Sequence, residues 1–472
     1  MDPDPALQDA RRLDREGQPG RAVLAYKLAA RAGSFEAKVD LSGLLVRMGR
    51  HDEALALCAE ILEARPGLPA ALQNLAGACL GLGRLDEARA HARALLEAEP
   101  ANPQGHLALA LAGGGEEHLR RARELAPGDS GIRRTLIHRL LPRRAWDELL
   151  PLWQEVIDQE MEGPKARFET SLLHLTYGRF REGWEAYESR FLPPNEAFPR
   201  VDSPRPPWDG SPFPGRTLLL HYEQGFGDTL MFIRFAARAR ERGGRVLALV
   251  QPALLPVLRS ARGVDLLFTL DDPVPPFDLR LPLLSLPRVL GTVLETIPSE
   301  VPYLAPPPGT CAAAEAIRPS PRLKVGLVWA GSADHAKDAL RSVPPDLLGR
   351  LDAVPGVDWY SLQVGFEGCP PFATDLGPLL RDFGDTAQAL AKLDLLITVD
   401  TAVAHLAGAL GKPTWLLLPL VPEWRWLLDR EDSPWYPTLR LFRQLDGHAW
   451  DGVLARVEVS LNDLMNTRRG TC

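Results

Sequence analysis

Two strand–turn–helix junctions carry the chemistry-bearing residues of this chain. The first reads Thr217-Leu-Leu-Leu-His-Tyr-Glu223-Gln-Gly225-Phe-Gly227-Asp228-Thr229. The second reads Asp394-Leu-Leu-Ile-Thr-Val-Asp400-Thr401-Ala402-Val-Ala-His405. Each sets a carboxylate where a parallel strand ends and a helix begins, the edge at which open α/β sheets bind ligands. A helix start also offers unpaired N–H groups and the positive end of a dipole, which suit a phosphate. Two such junctions, about 170 residues apart, point to two Rossmann-like halves facing one cleft. They favour an enzyme acting on a phosphate-bearing substrate over a plain scaffold.

The residue types allow more than one task at each position. Gly225 and Gly227 permit a tight turn and close approach of a ligand. Asp228 is either the N-cap of its helix, accepting a backbone N–H, or a base that removes a proton. Thr229 follows on the same helix start, and Glu223 at the strand end is the reserve carboxylate. At the second junction Thr401 and Ala402 would donate main-chain N–H groups to a diphosphate, and Asp400 would meet sugar hydroxyls; the plainer reading is a cap and a tight turn. His405, one helical turn in, is either a ligand contact or a packed core residue. Arg341 follows a polar loop, Gly331 to Asp338, and by itself reads as a solvated side chain. Gln363 ends its strand on the same edge and is expected to touch the nucleotide. Asp385-Thr386 repeats the helix-start pattern and reads as a cap. The aromatic runs around Trp424, Trp426, Trp435 and Tyr436 read as core or interdomain packing ahead of sugar stacking.

Several chemistries fit poorly. Gly225-Phe-Gly227-Asp-Thr-Leu230 lacks the third glycine of a dinucleotide fingerprint, and no acidic residue ends the next strand. No His, Asp or Glu cluster has metal-ligand spacing. There is no phosphate-binding P-loop and no Gly-x-Ser-x-Gly elbow.

The elements that must hold these residues fall into two kinds. Residues 217–222, 245–250, 266–269 and 279–281 read as short buried strands, separated by helical stretches such as 228–242 and 253–260. A second set covers 324–330, 358–363, 395–399 and 413–419, with a helix over 402–410. A last helix near 450–465 is expected to cross back to the first α/β domain. Strands alternating with helices imply parallel sheets. The first half is different. Met48-Gly-Arg-His-Asp-Glu-Ala54 returns as Leu82-Gly-Arg-Leu-Asp-Glu-Ala88, and Pro66 returns as Pro100, all at an offset of 34 residues. A 34-residue period with small residues at fixed places and a closing proline resembles the tetratricopeptide repeat. Weaker copies surround Gly17 to Ala22 and end at Pro127 and near Ile157; a clear one spans Tyr177 to Tyr187. A solenoid of this kind presents a concave face, expected to hold a protein or peptide partner and to recruit the acceptor. The domain plan is therefore repeats over 5–192, a proline-rich linker over 193–215, α/β domains over 216–300 and 323–472, and a second linker over 301–322.

The net charge of −7 argues against a nucleic-acid binder. Five cysteines, odd in number and without metal-type spacing, imply a reducing compartment. Met1-Asp-Pro-Asp-Pro lacks the apolar run of a signal peptide, and no stretch reaches the ~18 apolar residues of a membrane span. A cytoplasmic location is the resulting expectation.

The glycine-rich turn Gly225 to Thr229 and the block Asp400 to Pro413 together resemble glycosyltransferase family 9, the heptosyltransferase-like enzymes, over about residues 215–445. The resemblance implies a GT-B fold of two Rossmann-like domains and an inverting, metal-independent transfer from a nucleotide sugar to a glycan or protein acceptor. It implies no cofactor beyond that donor. It puts the base on Asp228 and the donor phosphates between Arg341 and the helix after Asp400. The repeat-plus-transferase layout is similar to bacterial tetratricopeptide proteins related to O-linked N-acetylglucosamine transferases. Two other readings stay open: an interaction scaffold that keeps the transferase fold without its chemistry, and a nucleotide-sugar epimerase.

Overall fold

The structure, a computed structural model, describes residues 5–160, 163–192, 203–331, 338–366, 368–445 and 450–470. Linker residues 193–202, loop residues 332–337 and Cys472 from the sequence reading lie outside them. The chain forms two compact units, one of residues 1–141 and 145–156, the other of residues 142–144 and 157–472.

The first unit is a run of antiparallel helix pairs. Glycines close the helices where the repeat demands it. Gly49 and Gly83 adopt φ of +73° and +71°, the left-handed conformation that lacks a Cβ penalty only for glycine. At the first of these the Arg50 N–H reaches back to Leu45 O and the Gly49 N–H to Val46 O, the double bond pattern of a Schellman cap. Ala54 and Ala88, the repeated small residues, are fully buried. Cys58 and Cys79 are buried too, as small apolar fillers. Burial pushes both thiols above the ordinary cysteine range, which suits packing and not reactivity.

The second unit begins earlier than the sequence plan placed it. The helices Gly163–Thr176 and Phe180–Tyr187 share the core of the sheets. Their large apolar side chains explain this. Phe180, Trp184 and Tyr187 are buried; Phe180 meets Trp435, and Trp184 meets Phe232 and Trp424, at ring separations of 5.3–6.2 Å, while Tyr187 packs edge-on against Trp184 at 6.1 Å. Each such aromatic pair adds about 0.5–1.5 kcal/mol beyond its buried area. Gly178 takes the same left-handed turn as Gly49 and Gly83, with φ +72°, but the helix after it is spent on the α/β core.

Two parallel sheets follow. The first joins β1 (Thr217–His221), β2 (Arg245–Leu249), β3 (Leu266–Phe268) and β4 (Leu279–Pro282) in the order β3-β2-β1-β4. The second joins β5 (Leu323–Val328), β6 (Val357–Ser361), β7 (Ala373–Asp375), β8 (Leu395–Val399), β9 (Thr414–Leu418) and β10 (Leu439–Arg443) in the order β10-β9-β8-β5-β6-β7. Read from the other edge, that is the doubly wound 3-2-1-4-5-6 order, and the first sheet holds its 3-2-1-4 portion. The chain reverses direction between β1 and β4 in one sheet and between β5 and β8 in the other. In open α/β sheets ligands bind at such switch points, beyond the carboxyl ends of the strands.

Two expectations are corrected. The helix read over 228–242 is a helix Phe226–Phe232, a 3-10 turn Ile233–Phe235 and a helix Ala236–Arg240. Buried Arg234 sits in that turn and donates to Met231 O, Pro298 O and Trp435 O. The last helix, Asp451–Gly470, does not cross back. It lays Val453, Leu454, Val457 and Leu461 on β5, β8 and the helix Pro345–Ala353 of its own domain. No helix among the described residues is long and apolar enough to cross a membrane.

Candidate functional site

At the first junction β1 ends in His221, and the helix Phe226–Phe232 starts from Gly225. Asp228 caps that helix: Oδ2 accepts from the Gly225 N–H at 3.1 Å. Its other oxygen accepts from the guanidinium of Arg425. Thr229 is buried and donates its hydroxyl to Gln251 at 2.8 Å, and Gln251 donates to Gln224 O at 3.0 Å. The turn is thereby tied to the end of β2.

Glu223 is a structural anchor. Its carboxylate is buried, takes two hydrogen bonds from buried Arg190 at 2.9 and 3.1 Å, and a third from the Leu284 N–H. Burial raises its pKa, and Arg190 opposes that shift. To act as a base it would have to abandon Arg190 without water to replace it, so the reserve role gives way to an ion pair joining the helical turn Glu188–Phe191 to the sheet.

At the second junction β8 ends at Val399 and the helix Ala402–Ala409 begins from Thr401. The Thr401 side chain makes no capping bond; Gly225 offers none to the first helix either, which differs in that Asp228 reaches back to the Gly225 N–H. Arg341 lies directly against this junction. It donates Nη1 to Asp400 O at 3.0 Å and Nε to Asp338 at 2.9 Å. Gly331, at the end of β5, makes room: a Cβ there would lie 2.3 Å from Arg341 Nη2. Arg341, Asp400, Thr401 and Ala402 thus gather at the β5/β8 switch point. Burial pushes the Asp400 carboxyl up, and Trp426, Arg425 and Arg341 pull it back.

Gln363 and His405 serve the framework. The Gln363 carboxamide oxygen accepts from Trp329 N at 3.1 Å and Ala330 N at 3.0 Å, closing the end of β5 against β6. Its NH₂ donates to Val364 O. Both ends are spent on backbone. His405 is buried, stacked on Trp426 at 5.3 Å and paired through Nδ1 with the Tyr436 hydroxyl at 3.0 Å. Burial drives its pKa well below the ordinary value, so it stays neutral. Gly227 touches it. A Cβ on Gly227 would sit 2.8 Å from His405 Cδ2 and 3.6 Å from Ala402 Cα. The two junctions therefore meet, and glycine is what lets them.

Arg425 is the residue that sequence reasoning passed over. It follows β9 in the 3-10 turn Trp424–Trp426, is buried, and sits 4.2 Å over the Trp424 ring. One guanidinium arm holds Glu423 at 2.6 Å and the other holds Asp228, so a single cation joins the two sheet domains. The next residue but one, Leu427, adopts φ 52° and ψ −164°, a backbone region open essentially to glycine alone. Strain of about 1–3 kcal/mol is concentrated beside this arginine. The signal in the sequence was a lone cation inside an apolar, aromatic run, which has to be paired wherever it is buried.

Chemically, the site offers two arginines, one helix start without a side-chain cap and two carboxylates at the carboxyl edge of two parallel sheets. That set fits a diphosphate. Among the described residues no three His, Cys, Asp or Glu side chains are grouped to hold a metal ion.

Residues 45–112 match the tetratricopeptide repeat family. Over 335 residues the chain is 29% identical to Protein FlbA of Caulobacter vibrioides, a match covering 63% of this chain and 55% of that one. The chain spans about half the length of the curated relative it matches. Among solved structures it is similar to a thermophilic TPR protein of Thermus thermophilus, with 20% identity, a TM-score of 0.32, and coverage of 36% of this chain and 97% of that one. It is also similar to a glycosyl transferase family 9 structure from Veillonella parvula, with 12% identity, a TM-score of 0.38, and coverage of 51% and 89%. The N-terminal region of this chain carries tetratricopeptide repeats.

Proposed function

We propose that the α/β unit transfers a sugar from a nucleotide-sugar donor to a glycan or protein acceptor recruited by the repeats, with inversion and without a metal ion. The observation that carries this reading is the contact between the two junctions. Arg341 and the helix start after Asp400 stand at one switch point, and Arg425 bridges to Asp228 at the other.

The donor's diphosphate would lie at the start of the helix Ala402–Ala409, with Arg341 and Arg425 as its cations. Arg425 would exchange one anion for another, leaving Asp228 for the phosphate. The freed carboxylate then accepts the acceptor's hydroxyl proton. The acceptor oxygen attacks the anomeric carbon from the side opposite the diphosphate. The C–O bond to the diphosphate breaks, and its electron pair stays on the leaving phosphate. The arginines and helix N–H groups stabilise the charge that develops there.

One observation favours a second reading, an interaction scaffold: both Asp228 oxygens are already engaged, by Gly225 N and by Arg425. The readings separate in one experiment. The purified full chain is titrated with a panel of nucleotide sugars, with and without Mg²⁺, and assayed for sugar release and transfer. A transferase binds one donor without metal and loses that binding in Arg341→Ala. Absence of binding by every donor would sink the transferase reading and leave the scaffold.

A further inference from the structure

β10 and the loop after the Arg425 turn enclose a cavity of about 250 Å³. Five arginines line it: Arg430, Arg440, Arg443, Arg456 and Arg144. Two carboxylates face them, Asp429 and Glu431, so five charges less two leaves three positive. The whole chain is net −7, which makes this concentration of cations a local feature. The pairs inside it are unequal. Asp429 is taken by Arg144, Glu431 stands 3.7 Å from Arg440, and Arg430 holds Asp432.

Arg443 is the buried member, 8% exposed. It donates Nε to Arg430 O at 2.9 Å and Nη2 to Trp426 O at 2.5 Å. Those partners are carbonyls and carry no charge to balance it. Burial, then Arg144 and Arg430, weaken its hold on its proton; Asp429 opposes them, and the pKa comes down to about 10. A buried cation whose neighbours are mostly cations is stabilised when a further anion joins it.

We propose that this cavity binds a phosphate-class anion, presented free or as a phosphomonoester. Guanidinium groups suit it because they grip phosphate oxygens bidentately. The volume equals roughly eight waters at their liquid share, room for a phosphate or diphosphate with a few waters. It falls short of the ~300–1,000 Å³ of pockets that take drug-sized ligands, so a whole nucleotide sugar does not fit. No residue of the Asp228–Arg341 site lines it, and β9 stands between its strand and β8.

The test is calorimetric titration of the full chain with inorganic phosphate and with diphosphate at fixed ionic strength. Arg430→Gln/Arg440→Gln is the disabling variant, since both side chains reach solvent; Arg430→Lys/Arg440→Lys keeps the charge if the first variant folds poorly. The expected result is saturable binding that weakens roughly tenfold or more in the glutamine variant. That binding should persist in Arg341→Ala and recover in part with lysine. A second arm uses phosphatidylcholine vesicles with and without phosphatidic acid. Association with the phosphatidic-acid vesicles alone, lost in the glutamine variant, would name a lipid phosphomonoester as the source. Absence of binding in both arms overturns the proposal. So does binding that disappears in Arg341→Ala and survives in Arg430→Gln/Arg440→Gln, because that anion belongs to the site at Asp400.

Discussion

The two strand–helix junctions end alike in sequence, yet their helix starts are finished differently. At the first, the acidic residue lies inside the helix and folds back to satisfy Gly225 N, while Arg425 takes its other oxygen. At the second, the acidic residue precedes the helix, the Thr401 side chain caps nothing, and Arg341 sits on the Asp400 carbonyl. A first turn that carries its own carboxylate disfavours an anion; one without a carboxylate and beside arginine favours it. On the proposed reading the first junction handles the proton and the second the anion.

The largest effect expected from breaking this division is at Asp228. Asp228→Asn keeps the shape and removes the base, so sugar transfer should fall by about 10²–10⁴. Turnover within a few-fold of the parent chain would remove Asp228 from the proposed chemistry. Next comes Arg425→Met, which strands Asp228 and Glu423. Breaking a fully buried pair costs about 3–5 kcal/mol. Glu423 still reaches water, so about 2–3 kcal/mol is expected in urea unfolding, and a loss below about 1 would mean the bridge is incidental.

Acid should act on both junctions. Burial pulls His221, at the end of β1, down to about 4, and His405 well below its ordinary value. The unfolded chain therefore takes these protons first. Stability is intact above about pH 6.5 and falls as the pH drops from there, with His221 alone contributing about 2 kcal/mol of loss by about pH 5. Unfolding curves that do not move between about pH 7 and about pH 5, or that move equally in His221→Leu, would contradict this. Gly227→Ala should cost about 1–2 kcal/mol, because its methyl meets the His405 ring; a neutral thermal melt would mean the junctions can part. Smallest is Thr401→Ala, below about 0.5 kcal/mol, since no cap is lost. The control is Asp382→Ala, whose carboxylate does cap, accepting from Gly384 N and Asp385 N, and which should cost about 1 kcal/mol. Equal losses at the two positions would erase the contrast drawn between capped and uncapped starts.

How far the sequence reaches can be judged residue by residue. The repeats were readable because Gly49 and Gly83 are needed at positive φ and recur at one offset. Eight strands were readable because buried parallel strands are continuous apolar runs. β7 escaped because Ala373-Thr-Asp375 has no such run, and β10 because Arg440 and Arg443 interrupt one. Asp400 and Thr401 were legible as neighbours because they directly follow β8; Asp228 and Arg341 lie on the helices Phe226–Phe232 and Asp338–Arg341 that come after β1 and β5. The framework duties of His405, Gln363 and Glu223 were not legible. Their partners, Tyr436, Trp329 N and Arg190, lie 31, 34 and 33 residues away in the chain, and no local pattern reports such a meeting.

The bridge from Arg425 to Asp228 also bears on the order of assembly. It joins residues 197 apart, whereas the sheets register over much shorter spans, Thr217 on Arg245 and Leu323 on Val357. Closing a loop that long in one step would cost about 5 kcal/mol of chain entropy, so the bridge forms after both sheets have shortened the path. Like the bond from Arg234 to Trp435 O, which spans 201 residues, it is a late contact in assembly. Mild denaturant is therefore expected to loosen the junction between the sheets before their backbone signal is lost.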